Sequence, residues 1–251
     1  MSLFFSRFIV ICTVVSGGSV AFAGDPSPFD KQQEAISLMR VKGHDLRMWE
    51  SIAGVYCELE LFEPGPEELA AVADLPRLVE LEIHSGKLTQ ASVRQMGKLS
   101  DLTRLSLEDC QFPEGNLAFL KHLTSLERLY FSRCNFEGAS LSELGSLNRL
   151  YYVRISDCVL EDSGNLVFPA EMQRLSRLYV YDTFVNQWSF QQLVGSSYLT
   201  SLKFQGAKIT DEYLRHAAPG ENLERLRVYH KISHTAGERF KQSFPQVRFY
   251  Y

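Results

Sequence analysis

Apolar residues recur along this chain as doublets with one residue between them: Leu81/Ile83, Leu105/Leu107, Leu129/Phe131, Val153/Ile155, Leu178/Val180, Leu202/Phe204 and Leu226/Val228. Successive doublets lie 24, 24, 24, 25, 24 and 24 residues apart; Leu59/Leu61 precedes the series by 22 residues and Val247/Phe249 follows it by 21. Apolar-x-apolar is the period of a strand that buries one face. A unit of this length has no closed core, so its apolar face is buried only when the next unit stacks upon it. The rhythm therefore predicts short parallel strands about 4.8 Å apart over a continuous apolar spine, each followed by a return segment on the other side.

The return segments carry weaker signals. Ser140 to Glu143 and Thr235 to Glu238 have the spacing of a capping box, in which a hydroxyl and a carboxylate satisfy the first free amides of a helix. The units that begin near Leu99 and Leu147 hold Pro113, Gly115 and Pro169, which predicts irregular or 3₁₀ turns there. Both ends carry capping signals. A helix is expected from Asp30 to Val41, with Ala35, Ile36, Leu38, Met39 and Val41 as its apolar residues and Gly43 as its stop. A second is expected from Thr235 to Phe244, ended by Pro245 and followed by a last strand, Val247 to Phe249.

Four windows show the repeat most clearly: LPRLVELEIHSGKL from Leu75, LSDLTRLSLEDCQF from Leu99, LTSLERLYFSRCNF from Leu123 and LNRLYYVRISDCVL from Leu147. They fit L-x-x-L-x-L-x-x-(N/C)-x-L, and the chain resembles the leucine-rich-repeat family over roughly residues 53–251. The step from Ile209 to Leu214 (ITDEYL) resembles the cysteine-containing, ribonuclease-inhibitor-like branch, although 24 residues is shorter than those units usually run. The resemblance, to a secreted bacterial type, implies an α/β solenoid. It would be a horseshoe with a parallel concave sheet of about eight to nine short strands and helical or 3₁₀ turns on the convex side.

Residues 1–23 have a different character. Arg7 precedes an apolar run from Phe8 to Val15, and the segment ends Ala21-Phe22-Ala23, an A-x-A cleavage pattern. The run is short for a membrane span and is broken by Gly17 and Gly18. Cys12 sits inside it behind Ile11, which does not fit a lipoprotein cleavage point. The expected organisation is a signal peptide at 1–23, a leader and N-terminal capping helix at 24–52, and a repeat domain at 53–251 with its C-terminal cap from about residue 235. Export, cleavage near Ala23 and a mature chain without a membrane span follow.

A formal charge of −4 and a pI near 5.9 argue against a general electrostatic grip on nucleic acid. No G-x-S-x-G, phosphate loop, dinucleotide fingerprint or H-E-x-x-H motif is present, so no enzyme activity and no cofactor are expected. His230 and His234 are four apart but straddle a strand end, and His44, His84, His122 and His216 build no triad by register. Cys110, Cys134 and Cys158 share one slot in successive units, which Gly86, Thr183 and Ala207 hold elsewhere. A disulfide or thiol–metal site competes there with small buried free thiols, and the shared smallness favours the latter. Cys57 is read as lying on the opposite side of its strand.

Residues flanking each doublet point to the concave side. Register places Glu58, Glu60, Glu80 and Glu82 at one end of that face, with like charges side by side on neighbouring strands. A cation such as calcium, a basic partner or screening by water and salt would relieve them. The rest of the face is basic and aromatic: Arg104, Arg128, Tyr130, Tyr152, Arg154, Arg177, Tyr179, Tyr181, Lys203, Arg225, Arg227 and Tyr229. Arginine and tyrosine are enriched at the energetic centres of protein interfaces. The leading expectation is a non-enzymatic protein-interaction module using this face. The alternative is binding of an acidic polysaccharide or other cell-envelope polymer, and a minor one is a substrate-recognition subunit resembling the repeat proteins of ubiquitin ligases.

Overall fold

The structure is a computed structural model that describes residues 27–112, 117–136, 141–160, 166, 168–169 and 171–251. Met1 to Ala23, Pro113, Gly115 and Ser140, on which expectations above rest, lie outside the described residues.

The apolar doublets do form rungs. Among the described residues ten strands lie in one sheet in strict chain order: β1 (Asp45–Ser51), β2 (Gly54–Phe62), β3 (Leu78–His84), β4 (Arg104–Glu108), β5 (Arg128–Ser132), β6 (Tyr152–Ser156), β7 (Arg177–Tyr181), β8 (Ser201–Gln205), β9 (Arg225–Tyr229) and β10 (Arg248–Tyr250). From β2 onward all pairings are parallel. Leu59, Leu81, Leu105, Leu129, Val153, Leu178, Leu202 and Leu226 stand opposite one another in turn. These eight residues are all within 2% of complete burial, so the spine is continuous. The last rung differs from the expected spacing. Phe249, not Val247, stands opposite Leu226, so the final doublet is displaced by two residues.

One strand was not anticipated. β1 makes an antiparallel hairpin with β2, pairing Asp45 with Glu60 and Ser51 with Gly54. Its apolar doublet, Leu46/Met48, falls outside the repeat spacing, and both residues are partly buried against the core. Ahead of it, α1 (Pro28–Val41) closes the open end of the spine with Ala35, Ile36 and Met39. The helix starts two residues earlier than expected. Ser27 is its N-cap, accepting from the Asp30 amide at 3.2 Å while Asp30 accepts from the Ser27 amide at 3.1 Å. Pro28 occupies the first helical position, where its missing N–H costs nothing. Val41 was expected to face the core but is 80% exposed.

The convex side combines helices and 3₁₀ turns: α2 (Pro66–Ala71), α3 (Gln90–Met96), 3₁₀ turns at Ala118–His122 and Leu141–Ser146, then α4 (Gln187–Val194) and α5 (Asp211–Arg215). The 3₁₀ turn at Leu141–Ser146 replaces the helix expected from the Ser140 to Glu143 spacing. At the far end α6 (His234–Ser243) is capped by Ser233, whose hydroxyl accepts from the Ala236 amide at 3.2 Å, and not by Thr235. Glu238, freed from the expected box, accepts from the Tyr251 hydroxyl at 3.0 Å and pairs with Lys241 at 3.0 Å. Among the described residues no helix is long and apolar enough to cross a membrane.

Cys110, Cys134 and Cys158 are buried and free. The slot demands a small volume, and where its residue has a donor, a backbone carbonyl accepts from it. The Cys134 thiol donates to the Leu107 carbonyl at 3.3 Å, and Thr183 places its hydroxyl 2.9 Å from the Tyr181 carbonyl while accepting from the Cys158 amide at 3.0 Å. Gly86 sits where a Cβ would stand 2.7 Å from Ile83 Cγ2. Burial pushes the Cys110 thiol up to about 12, which makes it a poor nucleophile. Cys57 lies on the inner side, not the opposite one. It shares the parity of Leu59 and Leu61, is fully buried, and donates to the Pro76 carbonyl at 2.7 Å.

Candidate binding face

The outward residues of the sheet follow from the same parity that buries the spine. Register sets Glu58 beside Glu80 and Glu60 beside Glu82. The like charges are relieved from within the chain, which the sequence reading did not foresee. Arg47 on β1 reaches Glu58 at 3.4 Å. Arg104 bridges Glu80 at 3.4 Å and Glu82 at 3.0 Å. His84 places Nε2 3.0 Å from Glu60 and Nδ1 2.9 Å from Glu108. Glu108 and Asp109 in turn hold Arg133, a residue of the turn after β5.

The remainder of the face is built differently. From β6 to β10 the outward positions hold Tyr152, Arg154 and Ser156, then Arg177, Tyr179 and Tyr181, then Ser201, Lys203 and Gln205, then Arg225, Arg227 and Tyr229, and finally Arg248 and Tyr250. Its outward strand positions hold no carboxylate, and Asp157 and Asp182 follow in the turns after β6 and β7. Among the described residues none of Arg128, Arg154, Arg177, Lys203, Arg225 or Arg227 is in an ion pair. Three of its cations rest on rings instead. Arg154 lies 4.5 Å and Lys203 4.6 Å from the Tyr181 centroid, and Lys203 is 5.1 Å from Tyr229. Arg227 lies 5.3 Å from Tyr250.

A tyrosine row runs across three rungs. Tyr130 and Tyr152 have centroids 5.3 Å apart, and Tyr152 meets Tyr179 edge-on at 5.4 Å. Burial pushes the Tyr152 phenol up to about 12, so it stays neutral and available as a hydrogen-bond donor. Arg104 stacks on Tyr130 at 4.9 Å, which ties this row to the acidic end. Arg128 turns aside, its Nε donating to the Tyr151 hydroxyl at 2.6 Å.

All twelve basic and aromatic candidates therefore occupy one sheet face. Two neighbours expected to be solvated are not: Ser156 and Ser201 are buried, Ser156 accepting from Arg154 Nε at 3.0 Å and Ser201 standing between Arg177 and Arg225. Arg248 and Tyr250 join the face although sequence reading passed over them. Carrying the register one rung further finds them, opposite Arg225 and Arg227.

The parallel rungs, the buried leucine spine and the convex turns define a leucine-rich-repeat solenoid. The family described as Leucine Rich Repeat matches residues 125–147. Among solved structures the chain is similar to an internalin, InlF, of Listeria monocytogenes str. 4b F2365, at 15% identity over 92% of this chain and 72% of that one, with a TM-score of 0.48. It is similar to internalin C2 of the same organism at 19% identity over 79% and 84%, TM-score 0.46. It is also similar to the TLR13 chain of a TLR13–ssRNA13 complex at 20% identity and TM-score 0.48, covering 66% of this chain but only 24% of that one. No curated protein sequence matches.

Proposed function

We propose that the protein is a non-enzymatic, exported interaction module that binds a partner protein on the C-terminal part of its concave sheet. The observation that carries this reading is the sector from β6 to β10, whose outward strand positions hold cations and tyrosines and no carboxylate. Its outward cations are Arg154, Arg177, Lys203, Arg225, Arg227 and Arg248, interleaved with tyrosines, in a protein whose formal charge is −4. A uniformly basic patch is not needed to hold the sheet together, since the parallel ladder and the spine do that. Cations held on ring faces keep a fixed position and, without a carboxylate partner, can turn N–H groups to an acidic partner surface, and rigid tyrosines add contact area at low entropic cost.

The test is a triple charge reversal, Arg154→Glu, Lys203→Glu and Arg227→Glu, in the mature chain, with circular dichroism as the check on folding. Capture of partner proteins from a native extract is expected to fall at least tenfold. Undiminished capture by the folded variant overturns the reading. Retention on an anionic glycan resin that disappears with added salt, without protein capture, assigns the same sector to an acidic polysaccharide. Export rests on residues 1–23. Expression in a secreting host is expected to give a mature N-terminus near Gly24 by N-terminal sequencing, and a retained Met1 in an intracellular fraction overturns it.

A further inference from the structure

We infer that Glu60, Glu82 and His84 form a site for a divalent transition-metal ion of the zinc class. Each offers one ligand atom, and these atoms lie within 4.8 Å of one another. Glu60 and Glu82 are direct neighbours on β2 and β3, and His84 lies two residues beyond Glu82 on the same face. The backbone under them is hydrogen-bonded sheet, so the three donors are held by the most rigid part of the unit. Their side chains are 26–30% exposed, which leaves an ion a path from solvent.

The histidine is oriented as a ligand. Its Nδ1 stands 2.9 Å from the Glu108 carboxylate, and Glu108 is anchored by Arg133. Nε2 faces Glu60 at 3.0 Å and Glu82 at 3.9 Å, so both ring nitrogens stand against carboxylates, and in the tautomer that donates from Nδ1 to Glu108 it is Nε2 that is left as the ligand atom. Phe62 stacks on the imidazole at 5.2 Å and 8° and fixes the plane of the ring. This is the carboxylate–histidine–metal arrangement in which an outer carboxylate sets the tautomer and raises the basicity of the ligand.

Charge points the same way. Glu58, Glu60, Glu80, Glu82, Glu108 and Asp109 face Arg47, Arg104 and Arg133, so carboxylates exceed guanidinium groups by three. Arg47 draws off Glu58 and Arg104 draws off Glu80, which removes them from the four-carboxylate set considered from sequence. Arg104 also takes one oxygen of Glu82 and leaves the other, Oε2, facing His84. The remaining set, one imidazole nitrogen and two carboxylate oxygens with room for water, suits zinc and its borderline neighbours. Calcium, which takes six to eight oxygens, is poorly served. On binding, the ion takes the place on Nε2 that a proton would otherwise occupy between His84 and Glu60.

The inference stands apart from the proposed partner sector, and neither depends on the other. The test uses the full chain freed of metal by chelation and dialysis, then titrated with Zn²⁺ or Ca²⁺ by calorimetry and thermal melting. At a hundredfold excess over its Kd, Zn²⁺ is expected to raise the melting midpoint by roughly 5–10 °C. His84→Gln and Glu60→Gln are each expected to weaken Zn²⁺ binding at least tenfold, and Glu108→Gln, which removes only the orienting partner, by about 10–100-fold. The comparison is made within each variant, with and without metal, so a change in intrinsic stability does not confuse the result. His234→Gln is expected to leave binding unchanged. Absence of Zn²⁺ binding, equal stabilisation by Ca²⁺, or Zn²⁺ affinity retained in His84→Gln overturns the site.

Discussion

Replacing Phe131 with alanine is expected to lower stability by about 3–5 kcal/mol, the cost of truncating a fully buried aromatic side chain. Phe131 is 1% exposed and occupies the second doublet position of the central rung, between Leu107 and Ile155. It also anchors the turn that follows, meeting Phe136 edge-on at 4.8 Å and Phe112 at 6.2 Å. The cavity would thus open at the contact between β5 and both of its neighbours. In a stacked array each unit touches only the adjacent ones, so a weak central interface uncouples the two halves. Chemical denaturation is therefore expected to show an earlier and broader transition, with amide exchange accelerated from β4 to β6. The comparison is Tyr130→Ala, one residue away on the outward side, which is expected to stay within about 1 kcal/mol. Equal effects of the two substitutions would mean that the parity assigned to β5 is wrong.

That parity was the part of the structure most open to sequence reading. One physical rule, that stacked units must bury the same two positions, fixes both the spine and the outward residues, so the neighbours of Glu58, Arg104 or Tyr152 could be written down without coordinates. The rule fails where no second neighbour exists. β1 pairs only with β2 in this sheet and runs antiparallel to it, so its doublet Leu46/Met48 falls outside the repeat spacing, and Arg47 between them supplies the counter-charge for Glu58 that the repeat alone did not show. The last rung, which in this sheet pairs only with β9, slips by two residues. Helix starts were less legible than strands. Ser27 and Ser233 won the caps because they directly precede a turn already in helical geometry, whereas the box spacing at Thr235 fell inside the helix. His84 was placed correctly on the face and register sets it beside Glu108, but its reach to Glu60, a diagonal neighbour on β2, and back to Glu82 on its own strand is visible only when side-chain reach is known.

Gly220→Ala is expected to destabilise the C-terminal units by about 2–4 kcal/mol, from overpacking together with the loss of one backbone hydrogen bond. A Cβ at residue 220 would stand 2.1 Å from the Ser196 carbonyl oxygen, 2.8 Å from its carbon and 3.0 Å from the Gly195 oxygen. All three are backbone atoms, so no side chain can swing away to make room. Relief requires the chain at 194–196 to part from the chain at 217–221, and the Gly220 amide bond to the Val194 carbonyl, 2.9 Å, lies in that contact. The strain therefore falls on the stacking of the α5–β9 unit on the one before it. The hydrogen bond from the Leu223 amide to the Gly220 carbonyl, which leads the chain into β9, is placed under the same stress. Gly97 provides the contrast. It ends α3 at φ −61° with nothing closer than 3.5 Å to an added Cβ, so Gly97→Ala is expected to be neutral or stabilising by up to about 1 kcal/mol. Urea midpoints of the two variants measured side by side, with amide exchange over residues 211–251, separate the cases. An unchanged midpoint for Gly220→Ala would show that the two convex turns do not approach as closely as the stacking of these units requires.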